Sequence, residues 1–405
     1  MNETVCRVWL SLALRPGGSH AELFDHFGSA EDIWHAGADE LKLAGAAPQL
    51  IRRLEKRDLA EAARIAGFAE RYGINIITFS DPAYPDLLRG IPDPPYLLYV
   101  LGNLPGSDDG LTVGIVGTRE MTGYGMDCAW RTAYGLASAG AVVVSGMARG
   151  IDGVAAAAAL KAGGRTVAVL GCGMDTVYPP EHRDLMAAIA SSGAVVSEYP
   201  PGCPPMARNF PVRNRIISGL SRGVFVVEAG EKSGAVLTAA EAKKQGRDVF
   251  ALPGRVTDPS SAGTCRLLCE GAKAAAGAAD ILDYYSGICP GLFDADAFAR
   301  SICSSEPDEE ALSSLGVLLP GERRGKRASR PAEREYKSEP ATETREPPSD
   351  PRLREFLSLV PDGASVCADS FAGSGYRTEE ALNLLSILEI SGYLQSVPGG
   401  MFRRA

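Results

Sequence analysis

Apolar residues recur along this chain with two different periods. Up to about Tyr72 they fall at helical spacing, as in AELFDHFGSAEDIW and DELKLAGAAPQLIRRLEKRDLAEAARIAGFAERY, with breaks at Gly28, Gly37 and Gly45. That pattern predicts a small helical domain over residues 1–72. The bend at Leu43-Ala44-Gly45 could be a hairpin whose amides meet phosphates or an ordinary helix turn, and no site is placed there. A Pro-rich bridge from Asp81 to Gly106 is expected to form turns rather than regular elements, because each proline restricts φ and lacks an amide donor. From Leu111 continuous apolar runs take over: TVGIVG, AVVVSG, TVAVLG, AVVSEY, GVFVVEA and DVFALPG, spaced about every 24–30 residues. Strands covered on both faces are apolar at successive positions, and the intervening segments fit single crossover helices. The expected class is therefore α/β, with a doubly wound parallel sheet over residues 73–290.

Residues 291–350 carry mixed charge, many Pro and Ser and few aromatics, most strongly from Ser304, so they are expected to be a flexible linker. Its cluster GERRGKRASR could touch phosphates, but the neighbouring acids favour a solvated segment. Over 351–405, LREFLSLV, ASVCADSFAG, TEEALNLLSILEISG and the ribbon YLQSVPGGMFRR read as short helices followed by a Gly-tipped hairpin, the order of a winged helix.

Composition narrows the function. The chain has 405 residues, more than one core usually holds at about 100–200 residues per domain. No run approaches the roughly 18 apolar residues of a membrane span, and the N-terminus lacks a secretory pattern, so a soluble cytoplasmic chain is expected. Nine scattered cysteines without a CxxC pair read as reduced thiols, not a metal or disulfide framework. The balance of 41 basic against 50 acidic residues, net -9, argues against coating nucleic acid by bulk charge. Any such site must be local.

Ligands of an open parallel sheet bind beyond the strand C-termini, and this chain loads those places with glycine: GTREMTGYG, SGMARGID, GCGMDTVYP and EKSGAVLTAAE. Such loops suit phosphate. Neither GxGxxG nor GxxxxGK[ST] occurs, so a dinucleotide dehydrogenase is not expected. Arg119 follows the first strand, and FPVRNR places Arg213, Asn214 and Arg215 at the start of a helix, with Phe210 as a stacking face. Guanidinium forks, an amide and a ring suit single-stranded nucleic acid. Equally, Arg213 and Arg215 could be a helix start paired to Glu198 or Glu228, and spacing alone does not separate the two.

The catalytic inventory is thin. Of His20, His26, His35 and His182 only the last lies in the sheet domain, so no triad is assembled. Asp152 reads as a helix N-cap before a base or metal ligand, and Glu198 and Glu228 read as partners of nearby arginines before an acid/base pair.

Taken in order, GIVGTR, VSGMARGID, TVAVLGCGMDTVYP, SEYPPG, FPVRNRIISGLS, VFVVEA, SGAVLTA and GRDVFALPG resemble the DNA-processing protein DprA (Smf) family, from about Asp81 through Lys273. The resemblance implies an extended Rossmann-like, mostly parallel sheet with a SAM or helix-hairpin-helix-like N-terminal domain and a C-terminal winged helix. It implies a cytoplasmic, non-enzymatic binder of single-stranded DNA, without catalytic residues, metal or cofactor. Such a homodimeric mediator would protect incoming strands and load a RecA-type recombinase in natural transformation. The DNA track it implies is Arg119, Gly146, Gly150, Phe210, Arg213, Asn214, Arg215, Ser233 and Gly234. The chain departs from the family's common residues at Ala156, His182 and Cys265. In the C-terminal module the candidate recognition helix begins Thr378-Glu379-Glu380, and acid there repels phosphate, leaving Arg403 and Arg404 as the wing's charge. The alternative is a nucleotide-binding phosphoribohydrolase-like enzyme on a related fold, with Glu241 as the nearest carboxylate. Against it stands EKSGAVLTAAE, where such enzymes carry PGGxGTxxE.

Overall fold

In the computed structural model, the described residues are 2–17, 21–106, 110–289, 291–301, 305–322 and, with gaps, 350–404. Contacts divide the chain into two compact units, Met1–Lys326 and Arg327–Ala405.

The first unit opens with six helices: α1 (Glu3–Leu14), α2 (Ala21–His26), α3 (Ala30–His35), α4 (Ala38–Leu43), α5 (Pro48–Leu54) and α6 (Ala60–Arg71). Their buried residues, among them Val8, Leu10 and Ile65, join the same apolar cluster as Ile74 and Tyr99 of the sheet. The helical segment is thus part of the first unit.

The sheet has nine strands: β1 (Ile74–Thr78), β2 (Leu97–Gly102), β3 (Thr112–Val116), β4 (Val142–Ser145), β5 (Thr166–Leu170), β6 (Ala194–Ser197), β7 (Gly223–Val226), β8 (Asp248–Ala251) and β9 (Lys273–Ala274). Their spatial order is β1-β2-β6-β5-β4-β3-β7-β8-β9. All pairs from β6 to β9 are parallel, while β1 and β2 add an antiparallel edge, with Tyr99 opposite both Ile76 and Ser197. Strand β2 lies in the bridge expected to form only turns. Its apolar run LLYVLG outweighs the flanking prolines because β1 and β6 both pair with it, and Leu97 through Val100 are buried. The prolines lie outside it, five before the strand and Pro105 after it, and the segment before it also holds the short helix α7 (Asp86–Arg89).

The expected crossover helices are present as α8 (Gly123–Ser138), α9 (Ile151–Lys161), α11 (Asn209–Gly219) and α12 (Gly234–Lys244), and a further helix, α10 (Arg183–Ser192), connects β5 to β6. Alternate strand residues feed two cores, as a period of two requires. Val113, Ile115, Val143, Ala168 and Leu170 face Trp130 of α8 and the alanines of α9, whereas Val116, Val142, Val144, Val167 and Val169 face Ile216 and Ala239 of α11 and α12. After β8 the chain adds α13 (Ala262–Cys269) and α14 (Ala278–Ser286). Among the described residues no helix is long and apolar enough to cross a membrane.

Part of the segment expected as a linker over 291–350 is folded. Helices α15 (Ala295–Ser301) and α16 (Glu309–Ser314) form within it, and Leu312 and Val317 are buried in the first core. Isolated apolar residues at the right spacing dock a segment whose mean composition is polar. The rest of the expected linker, residues 323–349, lies outside the described residues. In the second unit, helix α17 (Pro351–Ser358) and an antiparallel hairpin of β10 (Leu394–Val397) and β11 (Met401–Arg404) surround a small core of Phe356, Phe371, Leu385, Leu388 and Phe402. Thr378 and Glu379, which open the expected recognition helix, lie outside the described residues.

A substitution separates a packed segment from a linker. Leu312→Ala should cost about 2–5 kcal/mol in chemical denaturation, as for a buried leucine. No change in the transition would mean that residues 305–322 do not pack as described.

Candidate nucleic-acid interface

The chain lays down β3, moves outward through β4, β5 and β6, and returns to place β7 on the other side of β3. The loops after β3 and β7 therefore diverge, leaving a crevice beyond the strand C-termini. It is a cleft of about 730 Å³, walled by Thr118 and Arg119 after β3, Phe210 and Asn214 of α11, and Lys232 to Gly234 at the start of α12.

Besides α11, three helices begin at or beside these loops, and each presents the positive end of its dipole. At α8 the Thr122 hydroxyl caps the Gly125 amide at 3.1 Å. The Glu228 carboxylate beyond β7 accepts the Thr122 amide at 2.9 Å and its hydroxyl at 2.7 Å. At α9, Asp152 accepts the Gly146 amide at 3.1 Å. Asp152 is thus not the cap of its helix; Gly150 holds that position, at φ +74°. The buried Glu228 carboxylate thus serves the start of α8, while Asp152 holds the loop that leads into α9. Helix α12 differs. Ser233 caps it through the Ala235 amide at 3.3 Å, a Cβ on Gly234 would meet open space, and both residues line the cleft.

Beneath the cleft lies Arg213, 4% exposed. Its guanidinium donates to the carbonyls of Gly146, at 2.9 Å, and of Val169, and to the Asn214 side-chain oxygen at 3.3 Å. A Cβ on Gly146 would lie 2.6 Å from both this guanidinium and the Asp152 carboxylate, so only glycine fits. Burial raises the Asp152 pKa and lowers that of Arg213, while each group's charge opposes the shift of the other. The two stand as a desolvated pair tying the β4 loop to α11.

The structure brings Arg119, Phe210, Arg213, Asn214, Ser233 and Gly234 to one cleft. Arg119 is exposed, with its guanidinium carbon 5.5 Å from the Phe210 ring centre, and Arg213 stands 5.7 Å from the same ring. Gly146 and Gly150 stand behind this surface as packing positions: a Cβ on Gly150 would overlap the Thr118 carbonyl. Arg215 is elsewhere. It is 3% exposed, forks onto Glu198 at 2.9 and 2.7 Å, and reaches the Asp93 carboxylate at 3.0 Å. Residues two apart on a helix point to nearly opposite sides, so Arg213 and Arg215 cannot share one cleft. The ion-pair reading holds for Arg215, and its place in the expected track is corrected.

The carboxylates considered for catalysis are engaged. Glu198 holds Arg215, Glu228 holds Thr122, and Glu241, which the hydrolase reading needs, pairs with Lys244 at 2.7 Å on α12. His182 is 1% exposed, with Nδ1 3.1 Å from the Met147 carbonyl. The reading by residue type passed over Lys232, an exposed cation at the cleft beside Ser233. Its signal was its place directly before the Ser-Gly start of α12.

Residues 75–286 match the family described as DNA recombination-mediator protein A. A DNA processing protein DprA of Bacillus subtilis is 44% identical over 219 residues, covering 54% of this chain and 73% of that one. A protein Smf of Synechocystis is 33% identical over 392 residues, or 94% of each chain. The crystal structure of DNA processing protein A from Streptococcus pneumoniae superposes with a TM-score of 0.59 at 34% identity, covering 68% of this chain and 97% of that one.

Arg213→Ala should destabilise the protein by about 3–5 kcal/mol, the cost of orphaning a buried partner, while Arg119→Ala should stay within about 0.5 kcal/mol of wild type. Equal, small effects in urea titrations would refute the buried-pair assignment. Burial also lowers the His182 pKa, so below about pH 6.5 the unfolded chain binds more protons than the folded one and stability falls with pH. Melting temperature should therefore drop from pH 7 to 5, and His182→Asn should flatten that drop.

Proposed function

Because this chain belongs to the DprA (Smf) family, whose members are DNA-binding recombination mediators rather than enzymes, we propose that its strand-end cleft binds single-stranded DNA. One observation carries the reading. Two exposed cations, Arg119 and Lys232, line one cleft with the open start of α12 and the Phe210 ring, and Arg119 stands 5.5 Å from the centre of that ring. Phosphate takes bidentate donors and helix-start amides, and the ring gives a base of any identity a face to stack on. In this proposal the DNA-contacting residues are Arg119, Phe210, Asn214, Lys232, Ser233 and Gly234. Arg213, Gly146 and Gly150 shape the surface from behind.

The reading extends to a cytoplasmic homodimer that shields an incoming strand during natural transformation and passes it to a RecA-type recombinase. A winged helix at residues 351–405 belongs to it as an accessory module. Arg404 of that module donates to the Leu357 carbonyl at 2.6 Å, which favours a role in packing its own unit over one in gripping duplex. The net charge of -9 implies that affinity comes from few phosphate contacts.

Salt titration of fluorescent single-stranded oligonucleotide binding tests this directly. Arg119→Ala and Lys232→Ala should each weaken binding and reduce the slope of log affinity against log salt by about 0.7, one phosphate contact apiece. Failure of the wild type to bind single strands at low salt, with a rise in melting temperature on adding a nucleoside monophosphate, would instead favour the hydrolase.

A further inference from the structure

A second cleft, of about 520 Å³, shares the Arg119 and Glu120 lip of the first. Its other walls are Arg149 and Gly150 before α9, and the segment Leu318–Glu322. That segment is the end of a strap built into the fold. Leu312 and Val317 are buried in the first core, and Asp308 pairs with Lys161 of α9 at 2.7 Å. Gly316, at φ +76°, lies so close to the Glu181 carbonyl that a Cβ would overlap it. The strap therefore has a set position against the domain.

We infer that the second cleft is a further nucleotide subsite on the path of the same single strand, continuous with the first through Arg119. This rests on the reading of the first cleft as a DNA site. A phosphate held by Arg119 has a nucleotide on either side of it, and Arg119 lines both clefts. Arg149 supplies a second cation, oriented by its ion pair with Glu181. Met121, Leu318 and Pro320 supply apolar surface, which accepts the face of any base. Of the two carboxylates at this cleft, Glu322 accepts the Leu319 amide at 2.8 Å and so is turned onto its own strap, while Glu120 is exposed at the shared lip. The occupant is thus held by phosphate on the Arg119–Arg149 side and by base stacking on the strap side. The volume falls in the range of about 300–1,000 Å³ found for small-ligand sites, enough for a nucleotide and too little for duplex.

The test is the dependence of affinity on length, using the full chain and oligothymidines from the shortest that binds upward. Wild-type affinity should rise with length as the second cleft fills and then level off. Leu318→Glu should leave the shortest binder unchanged and cut affinity for the longer ones roughly tenfold, as loss of one base contact and added repulsion require. Arg149→Ala should act in the same direction and lower the salt slope only for longer strands. Because the strap also packs, melting temperatures are compared. Independently, a photoreactive base should cross-link wild-type protein within residues 318–322 when placed next to the nucleotide held at Arg119. If the wild type binds no single strand of any length, the first reading fails. If Arg119→Ala weakens short-strand binding while Leu318→Glu and Arg149→Ala leave long-strand affinity intact and no cross-link reaches the strap, this inference alone is overturned.

Discussion

The guanidinium of Arg213, carried on α11 and buried under the strand ends, is the constraint around which the candidate site is arranged. A cation without water must find acceptors, and it takes the carbonyls of Gly146 and Val169 together with the charge of Asp152. Those partners require the loop after β4 to fold back over α11, and require residue 146 to lack a Cβ. Asp152 completes the circuit by accepting the Gly146 amide. Burying such a pair contributes little net stability against an apolar equivalent. What it does here is define one loop conformation, and so a rigid floor beneath Phe210.

On that floor the charges divide into two kinds. Glu228 serves the start of α8 and Asp152 the loop before α9 from within, whereas the start of α12 opens on the cleft that Lys232 and Arg119 also line. An acidic protein can in this way present a local anion site, because interactions between exposed charges beyond roughly 10 Å are screened at ordinary ionic strength. The ring of Phe210 lies between the two kinds, 5.5 Å from the exposed Arg119 guanidinium and 5.7 Å from the buried one of Arg213.

Much of the fold was legible from the pattern of apolar residues. The six strands read from continuous apolar runs are β3 to β8, and the helices between them fall where expected. Strand β2 was masked by the prolines on either side of LLYVLG, although its six apolar or small residues match the other runs. Helices α15 and α16 escaped because average composition hides the few residues that dock them, Phe298 on α15 and Leu312 with Val317 at α16. The position of Arg215 was available in principle. Two residues apart on a helix is a statement about direction, and it assigns Arg213 and Arg215 to different neighbours before any coordinate is known.

From the order of its residues alone, then, this chain determined its class, its parallel strands, the glycine-rich turns beyond them and its family, because periodicity and local turn chemistry act over a few residues. Only the tertiary structure decided which charges are free. Whether a polar group is taken up by its own chain depends on groups far apart in sequence: Arg215 on Glu198 and Asp93, Thr122 on Glu228, Arg213 on Gly146 and Val169. Those distances are set by the strand order, in which β3 lies between β4 and β7, and no local pattern encodes them.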